Sequence, residues 1–450
     1  MNSKIFSAPG VVALNEKFKP IWALNSAGSL LGWDLEVNMP KMGAVARGIV
    51  AAEISLLEQK LMSDLYPFLE HADKAQGDLN DCEKGVIRVL KRKHKFYTKI
   101  PPSLLEAEQK ISVESTVAWR AAREKSDFRA FKPYLEKTVA MKIEEAEKLG
   151  YEKHPYNALL DLYDEGLTVD DMDSLFSRLI PALKRILEKL RSDPSYISDS
   201  PLLEIRYDAE SMKKVNEKLT DILGMPKDRF RMDISTHPFM EGIARDDVRI
   251  TTRYEGKDFR SSMYSVVHES GHAIYELQID EKLDYTALGR AVSNGFHESQ
   301  SRFWENVVGR SRSFVSLVEP ALRENLDFIA PYDKEQLYAY FNLVRPGLIR
   351  VDADELTYNF HIALRYELEK KLLDGKISPS DLPSIWSEMM DDYLGITPGN
   401  DAEGALQDVH WSSGSFGYFP TYTLGNIISG MIWHNIRKEI PLEDIVQKGE

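Results

Sequence analysis

Across the first half of this chain, apolar residues return every three or four positions over long stretches. A backbone with that period buries its apolar side as a helix. Segments 42–62, 80–98, 102–124, 128–149 and 170–192 all carry the pattern with charges between. Leu104, Ala107, Ile111, Ala118 and Ala122 show it, behind an entry marked by Pro101-Pro102-Ser103. Segments 315–330, 335–344, 353–373 and 381–394 repeat it downstream. Strand-like alternation is confined to Arg229–Ser235 and Val248–Tyr254. In the second, Val248, Ile250 and Thr252 face one way and Arg249, Thr251 and Arg253 the other. The expected fold is mainly α, a large helical single-chain structure with a deep cleft and one small β-sheet. It is read as one domain over 1–450, with a helical part to about 225 and the candidate site in 226–450. No Gly/Ser or Pro-rich tract and no internal repeat suggests a linker.

Charge narrows the partners. The chain has 57 basic and 71 acidic side chains, a formal charge of −14. An acidic surface repels phosphate backbones, so no nucleic-acid partner is expected. The run Lys91-Arg92-Lys93-His94-Lys95 lies within a helical pattern and reads as a solvated face. Cys82 is the single cysteine, which leaves no intrachain disulfide and no multi-cysteine metal site. The start of the chain has no long apolar core of a signal peptide, and no apolar run is long enough to span a bilayer. A cytoplasmic protein without membrane contact is the expectation.

One short segment carries chemistry. His268 and His272 stand four apart in His-Glu-Ser-Gly-His, so a helix points both imidazoles the same way, toward one cation. Glu269 then sits beside the position of a bound water, where it can act as general base and later as acid. Met263, Val266, Val267, Ile274 and Leu277 supply the apolar stripe of such a helix, which begins near Asp258. Gly271 costs about 1 kcal/mol relative to Ala inside it, which suggests that another backbone approaches there, or that packing is tight. A catalytic zinc site needs a third protein ligand. Glu298 is preferred, on a second helix starting near Ser293-Asn294 with Glu298, Arg302 and Glu305 along one side. His297 and Glu276 remain the rivals.

These residues, with five further motifs, resemble the thermostable carboxypeptidase (carboxypeptidase Taq) family of gluzincin-type HExxH metallopeptidases. The motifs are His237-Pro238-Phe239, Asp247-Val248-Arg249-Ile250-Thr251, His297-Glu298-Ser299-Gln300, Ile349-Arg350-Val351-Asp352-Ala353-Asp354, and Gly404-Ala405-Leu406-Gln407-Asp408-Val409-His410-Trp411. Trp33-Asp34 and Met39-Pro40 match near the start, and the order is kept from about residue 10 onward.

The resemblance implies a zinc-dependent carboxypeptidase that releases single C-terminal residues from peptides with broad specificity. It also implies a homodimer and peptide substrates with a free C-terminus. One zinc ion per chain would be held by His268, His272 and Glu298, and cobalt or manganese also suit such a set. By resemblance Tyr422 is the first choice as oxyanion donor and His410 the second, with Tyr418 nearby but also explicable as core packing. Arg350 is the implied clamp for the substrate carboxylate, since a guanidinium matches a planar anion. Read bare, it serves equally as an ion pair with its acidic neighbours. Arg249 either aligns substrate or pairs with Asp247, and His237 either lines the cleft or caps a turn. Gln407 and Asp408 are candidates to support His410. One departure stands out: many gluzincins carry an acid four residues after the ligand Glu, where this chain has Arg302. Support for the histidines must then come from elsewhere, with Glu305 and Asp354 as candidates. The rival readings are an oligopeptidase or endopeptidase of the same class and, more remotely, a non-enzymatic helical scaffold.

Overall fold

Many helices in this chain begin at a side chain that satisfies their free N–H groups. In the computed structural model, which describes residues 5–74 and 79–448, Asn80 and Glu83 close a reciprocal capping box on Asp81–Lys99. Thr168 and Asp171 do the same for Val169–Arg191. Asp208, Ser293 and Ser311 accept backbone N–H groups at the starts of Ala209–Ile222, Asn294–Arg302 and Arg312–Asn325. The periodic segments of the first half become Ala44–Asp64, Asp81–Lys99, Pro102–Lys125, Phe128–Leu149 and Val169–Arg191. Downstream, Lys334–Phe341, Tyr358–Leu373 and Leu382–Leu394 follow the pattern. Arg312–Asn325 stops short of 330 because Leu326 leaves the helical region and a short 3-10 turn follows. Helices over Pro9–Val37, Tyr66–Lys74, Ala209–Ile222 and Phe419–Glu439 are additions to the sequence-based expectation. The fold is mainly α, as expected.

Among the described residues the sheet has three strands, β1 (Phe230–Ile234), β2 (Met240–Ala244) and β3 (Asp247–Thr252). β3 is central, parallel to β1 and antiparallel to β2. The sequence pattern misses β2. That strand is short, has Gly242 at its centre and shifts register between Gly242 and Ala244, so no two-residue alternation survives. Arg231 and Arg249 are register partners on β1 and β3. Both guanidiniums lie on the buried ring of Trp33, at 4.9 and 4.4 Å from its centre. This clasp fastens the first helix to the sheet. Ser26 adds a hydrogen bond from its Oγ to the Ile243 carbonyl at 2.8 Å.

Apolar burial forms three clusters. One combines residues between Ile100 and Leu187 with residues between Tyr358 and Phe419. A second gathers Leu202–Met225, the sheet, and residues out to Leu343, and a third holds Phe6 to Leu90. Met263, Val266, Val267 and Ala273 of the helix Phe259–Leu277 belong to the second cluster. Their burial decides which face of that helix is left for His268 and His272.

In the basic run Lys91, Lys93 and Lys95 are exposed, as a solvated face requires, and two of its members also make ion pairs. Lys91 pairs with Asp73 at 2.5 Å, and Arg92 reaches both the carboxylate and the carbonyl of Asp161, tying two helices together. No helix among the described residues is long and apolar enough to cross a membrane.

Candidate active site

His268 and His272 project from one helix face, and Glu298 comes to meet them from the helix Asn294–Arg302. The Glu298 Oε2 atom lies 3.7 Å from His268 Nε2 and 3.4 Å from His272 Nε2. One ligand atom from each residue falls within 4.8 Å of the others. Ligands about 2.0–2.1 Å from a tetrahedral zinc ion are about 3.3–3.4 Å apart, so this donor set is close to the required size. Two imidazoles and one carboxylate are also the chemistry that a catalytic divalent site calls for, and three donors leave a position open. The set therefore fits the metal. Its rivals are placed elsewhere: His297 stacks on the His272 ring at 4.3 Å and turns its Nε2 toward Glu276 at 3.4 Å.

A buried ionic layer lies behind these ligands. Glu305 Oε2 sits 2.8 Å from His268 Nδ1, an arrangement that would leave the opposite nitrogen for a cation. Arg302 Nε donates to Glu298 Oε1 at 2.8 Å, leaving Oε2 facing the histidines. Arg302 also reaches Glu305, as does Arg310. Glu298, Arg302 and Glu305 share one side as expected, although the helix passes into a π-helical turn at Phe303–Val308. Arg302 thus occupies the position of the usual acid, and Glu305 takes over the histidine. Asp354, the other candidate, is committed to the backbone of Arg345, Leu356 and Thr357.

Burial shapes each protonation state. It raises Glu298, but His268, Arg302 and His272 outweigh it and hold the carboxylate well below its usual range. Burial lowers His268, while Glu298 and Glu305 bring it up to about 9. His272 is lowered to about 4, chiefly by burial. Glu269 is raised to about 7 by burial, against the pull of His268.

Two glycines make this assembly possible. A Cβ on Gly271 would stand 2.7 Å from Ser301 Cα and 2.9 Å from the Gln300 carbonyl oxygen. A Cβ on Gly425 would stand 2.5 Å from Glu298 Cγ. Gly271 therefore admits the helix Asn294–Arg302 on one side, and Gly425 lets the helix Phe419–Glu439 close on its other side. The backbone approach suggested by Gly271 in the sequence is real, and Gly425 is its counterpart.

The remaining candidates fall into two places. His410 Nε2 lies 3.2 Å from the Tyr422 hydroxyl, with Tyr418 next to both rings. Burial raises both phenols, and the Glu298 carboxylate adds to it in each. Burial and Arg350 lower His410 to about 3, so it is neutral. Arg350 is buried: Nε and Nη2 both donate to Asp408 Oδ1, at 2.9 and 2.8 Å, and Nη1 donates to the Tyr358 hydroxyl. Its bare-sequence partners, Asp352, Asp354 and Glu355, are not the ones it chooses. His237 lies at the surface, where partial burial and the cations Arg253, Arg123 and Arg120 lower its pKa from the usual imidazole range. Arg249 is bound to Asp247 through Nε and Nη2, at 2.7 and 2.8 Å, besides stacking on Trp33.

Three residues escape a reading by motif. Tyr358 puts its ring 4.2 Å below the Arg302 guanidinium while its hydroxyl accepts from Arg350, so it joins the ionic layer to the Arg350 cluster. Arg365 and Glu369 are fully buried on the same helix. Their signal is visible: Tyr358, His361, Arg365 and Glu369 recur every three or four positions in a helix buried almost all round. Polar groups at helical spacing inside such an element call for partners, and those of Arg365 and Glu369 include Gln407, Asp408 and Trp411.

The whole chain has close relatives. The family model for carboxypeptidase Taq (M32) metallopeptidases matches residues 13–450. The chain is 45% identical to thermostable carboxypeptidase 1 of Pyrococcus furiosus, over 99% of its own length and 90% of the relative's. It is 35% identical to carboxypeptidase 1 of Bacillus subtilis, over 96% and 87%. In three dimensions it superposes on the apo-Mg structure of Pyrococcus furiosus carboxypeptidase with a TM-score of 0.97 at 44% identity, covering 99% of this chain and 90% of that one. Metallocarboxypeptidase 1 of Trypanosoma cruzi gives 0.91 at 33%, covering 98% and 90%.

Proposed function

The chain belongs to the carboxypeptidase Taq (M32) family of metallopeptidases, and on that premise we propose that it is a zinc-dependent carboxypeptidase removing single C-terminal residues from peptides with broad specificity. The observation that carries the reading is the convergence of His268, His272 and Glu298 within 4.8 Å, with Glu269 buried beside the first histidine. A divalent cation held by these three residues supplies Lewis-acid polarisation of the scissile carbonyl and a water of lowered pKa.

The protein's own groups do the rest. Glu269 takes the proton of the attacking water and returns it to the leaving amine. Tyr422 donates its hydroxyl hydrogen toward the developing oxyanion, and neutral His410 at 3.2 Å fixes the direction of that hydroxyl. His410 and Tyr418 remain the alternative donors for this step. Arg350 binds the terminal carboxylate of the peptide with N–H groups that Asp408 and Tyr358 leave free. His237, Arg249 and Tyr418 are proposed to line the substrate path. A homodimer belongs to the same reading and rests on family membership; sedimentation of the metal-loaded protein tests it.

Digestion of a set of peptides by the metal-loaded protein, followed in time by mass spectrometry, tests the function. Stepwise loss from the C-terminus is expected. Internal cuts would instead assign an endopeptidase, and metal analysis of the purified protein checks for zinc.

A further inference from the structure

Arg350 is held at both ends, and both holds lead to one residue. Its backbone N–H donates to Gln407 Oε1 at 3.0 Å, and its guanidinium donates to Asp408 Oδ1. Arg365, which is completely buried, donates to the same Gln407 Oε1 at 2.7 Å and to Asp408 Oδ2 at 2.7 Å. Its third nitrogen donates to the His361 carbonyl at 2.8 Å, which ties the guanidinium to its own helix. The flat faces of the group are covered by Trp386 at 4.6 Å and Phe419 at 5.4 Å.

The division of Asp408 matters for chemistry. A carboxylate facing a single arginine takes the two-oxygen fork, which uses two parallel N–H groups. Here Oδ2 belongs to Arg365, so Arg350 is met by Oδ1 alone. An arginine has five N–H donors. Asp408 and Tyr358 engage three on Arg350, at Nε, Nη2 and Nη1. One hydrogen on each terminal nitrogen is thus left over for a second acceptor. Charge points the same way, since two buried guanidiniums share one carboxylate.

We propose that Arg365 is a positioning residue for peptide recognition: by holding Asp408 Oδ2 and Gln407 Oε1 it fixes the two residues that fix Arg350, and so sets where Arg350 meets the substrate's terminal carboxylate. The inference rests on Arg350 being that clamp. Without Arg365, Gln407 Oε1 and Asp408 Oδ2 lose the donor that holds them, and the two residues that hold Arg350 are free to shift.

The test is steady-state kinetics of the metal-loaded wild type, R365Q, R365K and R350A on matched peptides ending in a free carboxylate or an amide. R365Q is expected to raise KM for the free-carboxylate peptide about tenfold and to change kcat less than about threefold, with the preference over the amide reduced accordingly. R365K, which keeps the charge and one donor, is expected to recover part of the loss. A folded, metal-loaded R365Q with unaltered KM, or with kcat alone reduced, overturns the inference and leaves Arg365 as packing. If R365Q does not fold, R365K decides alone: raised KM at unchanged kcat supports the role, and wild-type kinetics overturn it. R350A separates the two ideas. If it leaves the carboxylate preference intact, the clamp assignment fails; if it abolishes the preference while folded Arg365 variants keep it, only the Arg365 inference fails.

Discussion

Gly425 faces Glu298 so closely that a single added Cβ would stand 2.5 Å from the Glu298 Cγ atom and 2.8 Å from its Cβ. The helix Phe419–Glu439 therefore sets the position of a proposed metal-ligand side chain that it does not carry. G425A should push Glu298 off the histidines, lowering metal affinity by about ten- to a hundredfold and stability by about 1–3 kcal/mol. Gly430 lies on the same helix, and a Cβ there would meet nothing within 4 Å. G430A should be neutral or slightly stabilising. Isothermal titration with zinc and thermal melts of the two variants check this pair. Equal metal affinity in both would contradict the role given to Gly425.

Glu305 serves His268 in place of the acid that Arg302 displaces. E305A should weaken metal binding by about ten- to a hundredfold, with E305Q retaining part because its carbonyl oxygen can still accept from Nδ1. The alanine variant also leaves Arg302 and Arg310 short of a counter-charge in a buried place, so a loss of about 3–5 kcal/mol of stability is expected with it. Competition with a chelator at fixed zinc measures the first effect. If E305A binds zinc as tightly as the wild type, His268 takes its orientation from something else.

Glu369 gives a pH dependence with a definite sign. Burial raises it from 4.5 to about 7, even though the Tyr156 hydroxyl, the Trp411 indole N–H and the Gly417 N–H all donate to it. A carboxyl group with a higher pKa when folded binds more protons in the folded state between those values. Its contribution is then largest below about pH 4.5 and falls as pH rises to about 7, by up to about 3 kcal/mol in all. The stability advantage of the wild type over E369Q should accordingly narrow from pH 5 to pH 7.5. Denaturation curves across that range decide it; an advantage that grows with pH would mean that the three donors outweigh burial.

Trp33 is the surface on which Arg231 and Arg249 meet. Trp33→Leu keeps an apolar group but removes both cation–ring contacts and part of the buried area, at a cost of about 1–4 kcal/mol. The check is the shift in the thermal midpoint, together with protease sensitivity of the first helix. No change in either would leave the clasp without energetic weight.

Much of this was legible in residue order because the physics was local. Helical period and the four-residue spacing of His268 and His272 depend on neighbours in the chain, so they predicted many of the elements and placed two of the three clustered side chains on one helix face. Glu298 followed from the need for a third ligand and from a carboxylate that would stand beside the site without a role if His297 were chosen. What stayed hidden depends on contacts between distant segments. Gly425 reads as an unfavourable helix residue until Glu298 is seen against it. Arg350 sits among Asp352, Asp354 and Glu355 in sequence, yet it pairs with Asp408, 58 positions away. β2 has no alternation to read because its register slips at Gly242. Arg365 and Glu369 left only an indirect sign, charge placed where a buried helix has no solvent to hold it.

If Glu269 acts as base beside a cation held by His268, His272 and Glu298, loss of the base and loss of a ligand must separate, and one pairing of measurements tests this. Metal content and peptide turnover are determined on the same preparations of wild type, E269Q and E298A. E269Q should keep stoichiometric metal with turnover reduced by roughly 10²–10⁴, and E298A should lose the metal itself. Full turnover by metal-loaded E269Q, or stoichiometric metal in E298A, would contradict this.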